Sequence, residues 1–222
     1  MVYEGRNQVA RFRHDGLSLM VKRFKRVNAA QQFAYTFFCK TKAERAFRFA
    51  NEFLQRGIDT PLPVAYMEER RYGLFSVGYF VSEEVQGVET SKLLREVEHY
   101  PDDLAEAVAR QVLLMHSKGV LHGDLNLTNF LCTDPASSRT DQAGSVFNGY
   151  HFVMIDTNRS HFCEGMPTDE QCIQNMVRLT HRRDLYEDLV RRYARLRGWD
   201  ADAIAKKALA LLERFEHRRF RL

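Results

Sequence analysis

The chain has 222 residues and a mass of 26.0 kDa, room for one large domain or two small ones. Hydrophobic residues at 45% and charged residues at 28% match an ordinary folded domain, which excludes a disordered, collagen-like or coiled-coil chain. The net charge of +4 hides an uneven spread: 11 Lys/Arg against 3 Asp/Glu in residues 1–48, 9 against 19 in residues 49–177, and 13 against 7 in residues 178–222. Basic ends around an acidic middle point either to an anionic partner or to solvated Arg-rich faces.

In chain order, residues 7–13 (NQVARFR) alternate apolar and polar as a half-buried strand does, and His14-Asp15-Gly16 is a turn signal. Leu17 to Phe24 then reads as the returning strand of a hairpin. Phe33, Tyr35, Phe37 and Phe38 cluster between Lys25 and Lys40. That cluster is read either as a loop packed on the first lobe or as a basic, aromatic lip for lipid. Thr41-Lys42-Ala43-Glu44 has capping-box spacing, so a helix should run to about Arg56 and stop at Gly57. Ile58 to Pro63 is a breaker segment, and Tyr72 to Val85, rich in aromatic and β-branched residues, reads as two strands.

Asp103 and Glu106 repeat the capping-box spacing, and Leu104, Ala107, Val108, Val112 and Met115 mark one helix face up to Gly119. Asn129–Cys132 and Tyr150–Ile155 are short strand-like runs, with a polar loop or hairpin tip over Thr133–Gly149. From Thr168 the chain reads as helical and Arg-rich, with Gly198 between the last two helices. Its final stretch, Arg214 to Leu222, holds four Arg and one His and is read as an anionic-surface contact or a solvated helix end. Strands first and helices last make the class α+β.

No apolar run reaches the ~18–20 residues of a membrane span, and MVYEGRNQVARFR has no apolar signal-peptide core, so a cytoplasmic protein is expected. Cys39, Cys132, Cys163 and Cys172 form no C-x-x-C pair, which argues against a zinc site or a disulfide frame.

The stretch that carries chemistry is His122-Gly123-Asp124-Leu125-Asn126-Leu127-Thr128-Asn129. Phosphoryl transfer needs an acid to orient and deprotonate the attacking hydroxyl, oxygen ligands for Mg²⁺ and a cation for the phosphates. H-x-D-x-x-x-x-N supplies Asp124 and Asn129 on one loop, and the strand ending in Ile155-Asp156 supplies a carboxylate of the kind Mg²⁺ takes. Lys22 stands where a kinase carries its strand lysine. Each piece alone is weak: the bland readings are a turn residue for Asp124 and a solvated charge for Lys22. The order hairpin, helix, two strands, helix, HGDLNLTN, strand, Asp is what raises the signal.

With these residues in place, the chain resembles the lipopolysaccharide kinase (Kdo/WaaP) family, a branch of the protein-kinase-like superfamily. Val21-Lys22-Arg23-Phe24-Lys25, Lys42-Ala43-Glu44-Arg45-Ala46, Gly57-Ile58-Asp59-Thr60-Pro61, HGDLNLTN and Ile155-Asp156-Thr157-Asn158-Arg159-Ser160 carry the resemblance, over most of residues 5–160. It implies a bilobal fold, a β-rich N-lobe over 1–81, a hinge at 82–85 and a helical C-lobe over 86–222. It implies ATP- and Mg²⁺-dependent phosphorylation of a Kdo or heptose hydroxyl in the lipopolysaccharide inner core. The lipid A–core acceptor would place the enzyme as a peripheral protein at the cytoplasmic face of the inner membrane. The resemblance also assigns roles. Asp124 is the catalytic base, Asn129 and Asp156 hold the metal, and Lys22 contacts the phosphates. His122 braces the catalytic loop or transfers protons, and Asn126 sits where protein kinases carry a lysine. Glu83 and Val85 offer their backbone to adenine. Gly5 and Arg6 cover the phosphates in place of a G-x-G-x-x-G loop. The usual acidic partner of the strand lysine falls at Ala46, leaving Glu44 as the substitute. Asp156-Thr157-Asn158 replaces D-F-G, with Asn158 as the residue that tolerates a left-handed backbone. The first strand is expected to be truncated, because only Met1 to Glu4 precede Gly5. Rival readings are a kinase-fold phosphotransferase for another small molecule or a protein, and a pseudokinase scaffold. A nucleic-acid-binding domain is disfavoured, since no signature for one is present. Oligomeric state is not legible.

Overall fold

The turn at Asp15-Gly16 sets the register of the first hairpin. In the computed structural model, which describes residues 3–4, 7–137 and 146–220, both turn residues are left-handed, with φ of 46° and 79°. That is the pairing a two-residue hairpin loop needs to match strand twist. It joins β2 (Gln8–His14) to β3 (Leu17–Arg23). With β1 (Tyr3–Glu4), β4 (Pro63–Arg71) and β5 (Leu74–Glu83) they form one antiparallel sheet in the order β1-β2-β3-β5-β4. The sheet therefore does have a first strand, of which Tyr3–Glu4 are the described residues.

Two expectations for this unit need correcting. The hairpin of β4 and β5 turns at Tyr72-Gly73 (φ 52° and 79°), so Tyr72 begins no strand, and β4 comes from the stretch after the Pro-rich breaker. Pro63 is allowed there because it opens an edge strand, where a missing N–H leaves no ladder bond broken. The aromatic segment after Lys25 is a helix, α1 (Ala29–Phe37), not a loop; Asn28 caps it by accepting the Gln31 N–H at 2.9 Å.

α2 (Lys42–Gln55) starts where the capping spacing puts it: Thr41 Oγ1 accepts the Glu44 N–H at 3.1 Å. Its Ala43, Ala46, Ala50 and Phe53 are buried. Ala43 approaches the sheet so closely that a Cβ on Gly78 of β5 would stand 2.8 Å from the Ala43 Cβ. Phe24, Ala43 and Ala46, with Phe80 beside them, form the core under Lys22's strand.

The second unit is helical with two small sheets. Its elements are β6 (Val88–Glu89), α3 (Thr90–Leu94), α4 (Asp102–Ser117), β7 (Val120–Leu121), β8 (Phe130–Thr133), β9 (Val146–Phe147), β10 (Tyr150–Met154), β11 (His161–Phe162), α5 (Asp169–Met176), α6 (Arg183–Leu196) and α7 (Ala201–Phe220). The strands pair as β6-β8-β10-β9 and β7-β11. Leu104, Ala107, Val108, Val112 and Met115 are buried in α4, as their spacing requires. The helix begins two residues earlier than the expected box sets it, with extended Pro101 at its N-cap and no side-chain cap bond. α5 instead carries a full capping box between Thr168 and Gln171. No helix among the described residues is long and apolar enough to cross a membrane.

The two units do not divide the chain at a single point. The first comprises 1–55, 60–86 and 156–158; the second comprises 56–59, 87–155 and 159–222. Asp59 explains why 56–59 belong with the helical unit. Its Oδ2 lies 2.6 Å from His151 Nε2, its carbonyl accepts the Met154 N–H at 2.8 Å, and His151 Nδ1 lies 2.6 Å from Thr133 Oγ1. All three side chains are buried. Removing one partner of a buried polar chain strands the others without solvent, at roughly 3–5 kcal/mol. Asp59→Ala is therefore expected to lower unfolding stability by about that amount in urea melts, with Thr133→Val costing less.

Candidate active site

The first unit contributes Lys22, next to the last residue of β3 and opposite Val9 and Phe80. Its ammonium lies 2.8 Å from Asp156 Oδ1 and 5.6 Å from the centre of the Phe24 ring. Asp156 is itself left-handed (φ 59°) and leads into a short 3₁₀ turn, Thr157–Arg159. The sharp backbone of this segment thus falls on the Asp and not on Asn158. Asp tolerates that region better than most residues. Asn158 Nδ2 donates to the same Asp156 Oδ1 at 3.0 Å. Asp156 Oδ2 carries no hydrogen bond among the described residues.

Glu44 does not partner Lys22. Its carboxylate pairs with Arg48 at 2.7 Å, one helical turn on. Ala46, the position an acid would take, is packed against Phe24 and Ala43, where an unpaired carboxylate would lose its hydration. Asp156 is the carboxylate that meets Lys22. At the end of β5, the Glu83 N–H donates to Leu62 O at 2.9 Å, and just past it the Glu84 N–H donates to Ser18 O at 2.8 Å. The Ser18 hydroxyl donates to Glu84, and Arg11 ion-pairs with it; the Ser18 bond leads in holding the carboxyl below the usual carboxylate range. The Val85 N–H carries no hydrogen bond among the described residues. Gly5 and Arg6 lie outside the described residues.

The second unit contributes the HGDLNLTN loop, and its shape is set almost wholly by side chains bonding to backbone. His122 is fully buried. Its Nε2 lies 3.0 Å from Ile155 O, and its Nδ1 accepts the Asp124 N–H at 3.1 Å. A ring that donates from one nitrogen and accepts at the other is neutral, with its proton on Nε2. Both ring nitrogens are therefore engaged with the backbone, one with Ile155 and one with Asp124. The Asp124 carbonyl accepts from Asn129 Nδ2 and from the Asn126 N–H, each at 2.8 Å. Asn126 Oδ1 accepts from Thr128, at 3.0 Å from its N–H and 3.2 Å from its hydroxyl, which caps the turn Leu127–Asn129. Asn126 is thus a capping residue in the position read as catalytic. Asn129 Oδ1 carries no hydrogen bond among the described residues, so this amide faces the loop with its nitrogen and leaves its oxygen as a donor for a cation.

Four residues around this loop have no counterpart among the residues picked out by sequence. Gly123 is one: a Cβ there would come within 1.9 Å of the Arg159 carbonyl oxygen and 2.4 Å of its carbon. The Gly between His122 and Asp124 is thus a steric requirement. Asn175, at the end of α5, donates from Nδ2 to His122 O at 2.9 Å, and its Oδ1 lies 3.1 Å from His116 Nε2. His116 Nδ1 lies 2.8 Å from the Tyr193 hydroxyl. Burial pushes the His116 imidazole down to about 4, against the opposing pull of the Asn175 bond. Arg178 Nη1 lies 3.2 Å from Asp124 Oδ1, with its guanidinium 5.2 Å from the centre of the Phe215 ring. Nothing in its sequence context separates it from the solvated arginines around it.

Comparison with known proteins bears on the same segments. The model of the lipopolysaccharide kinase (Kdo/WaaP) family matches residues 3–188. A 3-deoxy-D-manno-octulosonic acid kinase of Vibrio cholerae serotype O1 is 27% identical over 105 residues, which is 47% of this chain and 44% of that protein. The match thus spans less than half of that relative's length. Among solved structures, WaaP in complex with acyl carrier protein superposes with a TM-score of 0.60 at 20% identity, covering 97% of this chain and 86% of that one. At that identity the likeness is one of fold.

Two outcomes follow from the loop's surroundings. Gly123→Ala should displace residue 159 or the loop, lowering stability by roughly 1–3 kcal/mol as overpacking does; urea melts and a crystal structure of the variant check it. His116 is held neutral in the fold below its unfolded value, so unfolding stability should fall as pH drops from about 6.5 towards about 4, at up to ~1.4 kcal/mol per pH unit for this group. A His116→Gln variant should show a shallower fall over that window in pH-dependent melts.

Proposed function

This chain belongs to the lipopolysaccharide kinase (Kdo/WaaP) family, whose model spans most of it, and from that premise we propose an ATP-dependent kinase that phosphorylates a hydroxyl of Kdo in the lipopolysaccharide inner core. The observation that carries the reading is the loop in which Asn129 Nδ2 holds the Asp124 carbonyl, while the Asp124 carboxylate stays partly exposed and Asn129 Oδ1 carries no hydrogen bond among the described residues. Kdo is preferred to heptose because the curated relative is a kinase for that sugar.

In the proposed reaction Asp124 accepts the proton of the sugar hydroxyl. The freed oxygen forms a bond to the γ-phosphorus as the bond from that phosphorus to the ADP oxygen breaks, leaving ADP and a phosphorylated sugar. Lys22 binds the nucleotide phosphates. Asn129 Oδ1 in the helical unit and Asp156 Oδ2 in the first unit are each a hard oxygen without a hydrogen bond among the described residues, the type of ligand Mg²⁺ takes, and the proposed reading gives the ion to them. The ion, when bound, neutralises phosphate charge. The Val85 N–H is the donor available to adenine. Arg178, whose acidic partner is Asp124, supplies a cation beside the reacting oxygens. Arg182, Arg183 and Arg192 pair elsewhere: Arg182 with Asp184, Arg183 with Glu213 and Glu216, and Arg192 with Asp102 and Asp188. The lipid-linked acceptor makes the protein a peripheral visitor at a membrane surface.

Phosphate transfer from Mg-ATP to Kdo–lipid A, followed by mass spectrometry, tests the assignment. Asp124→Ala should lower kcat by about 10²–10⁴-fold with its melting temperature unchanged. Equal turnover by wild type and variant would remove Asp124 from the reaction. Arg178→Ala breaks only an exposed ion pair, so its stability should shift by less than about 1 kcal/mol. Its kcat should fall about 10²-fold or more while KM changes little.

A further inference from the structure

Helix α1 is built unlike the other helices. Among the described α-helices it alone contains no buried residue. One side moors it to the sheet: the Tyr35 ring meets the edge of Phe75 at 5.5 Å, and Thr36 Oγ1 accepts the Phe75 N–H at 2.9 Å. The other side carries Phe33, Phe37 and Phe38, which are 56%, 60% and 76% exposed. Their ring centres lie 5.0–6.3 Å apart, so they form one apolar knob whose rings pack on one another. From Asn28 to Cys39 there is no charged side chain, while exposed Lys25 and Arg26 precede the helix, exposed Lys40 follows it, and no acid lies between them.

We propose that α1 is a membrane-seating element: the three Phe rings enter the headgroup–acyl boundary of an anionic bilayer, and Lys25, Arg26 and Lys40 lie on its phosphates. The layering argues for lipid over a protein partner. A charge-free apolar knob suits hydrocarbon, and a purely cationic border at both ends suits an anionic headgroup plane. An acidic protein would satisfy the lysines and the arginine but would have to offer a matching apolar socket. The inference deepens the proposed function, since a lipid-anchored acceptor has to be met at a surface, but bilayer binding itself does not depend on the kinase reading.

Sedimentation of the full chain with vesicles tests it. Wild type should bind phosphatidylethanolamine–phosphatidylglycerol vesicles at least about tenfold more strongly than pure phosphatidylcholine ones, since each basic residue near an anionic surface adds about fivefold. Phe33→Ser/Phe37→Ser/Phe38→Ser should lose about 100-fold or more of that binding. Lys25→Gln/Arg26→Gln/Lys40→Gln should lose the preference for anionic lipid. A Phe37→Trp variant, which keeps the knob, should shift its emission to the blue when phosphatidylglycerol vesicles are added, beyond any shift that wild type shows through Trp199. All variants should phosphorylate a soluble, deacylated Kdo acceptor as wild type does; if wild type fails there yet still binds vesicles through α1, the kinase reading falls and this one stands. Three results overturn the proposal: a triple-Phe variant that sediments like wild type, a Phe37→Trp variant whose added emission does not move, or a wild-type protein that ignores vesicles and binds only an acidic protein.

Discussion

The bond from the Asn129 amide to the Asp124 carbonyl is the constraint around which the helical unit's contribution is arranged. It closes a loop of six residues on itself, and every neighbouring group reinforces it. His122 holds the Asp124 N–H from the other side, Asn126 caps the turn that delivers Asn129, and Asn175 pins the His122 carbonyl. Each bond joins a side chain to backbone; His122 is buried, and Asn126, Asn129 and Asn175 are half-buried. A loop closed by several such bonds at once is held stiffly, because releasing one leaves the others in place. The carboxylate of Asp124 is left as the loop's exposed charge.

How much of this is legible in the sequence depends on how local the cause is. The Asp15-Gly16 turn, the Thr41 cap, the apolar face of α4 and the HGDLNLTN loop can all be read, because each is fixed by residues within a few positions of one another. β4 escapes because Pro63 looks like a breaker until its strand is known to lie at a sheet edge. α1 escapes because a short helix with its apolar side turned to solvent has the composition of a loop. The Asp103 spacing misleads because the cap falls two residues earlier, at Pro101.

Pairings across the chain are the least legible. Lys22 and Asp156 are 134 positions apart and Asp124 and Arg178 are 54 apart. Spacing can bring neither pair together, and local helix geometry offers Glu44 as a decoy. Asp59 belongs to the same class: its motif is visible, whereas its work as the anchor of a buried Asp–His–Thr chain is not. The glycine of HGD is intermediate, since the letter is conspicuous but its reason, the backbone at Arg159, lies far along the chain.

Each carboxylate expected to take part in chemistry rests against a cation: Asp156 against Lys22 and Asp124 against Arg178. Both contacts join segments far apart in the chain, 134 and 54 positions. A nick or a misplaced helix well away from either carboxylate would therefore strip it of its cation while leaving its own loop spelled as before.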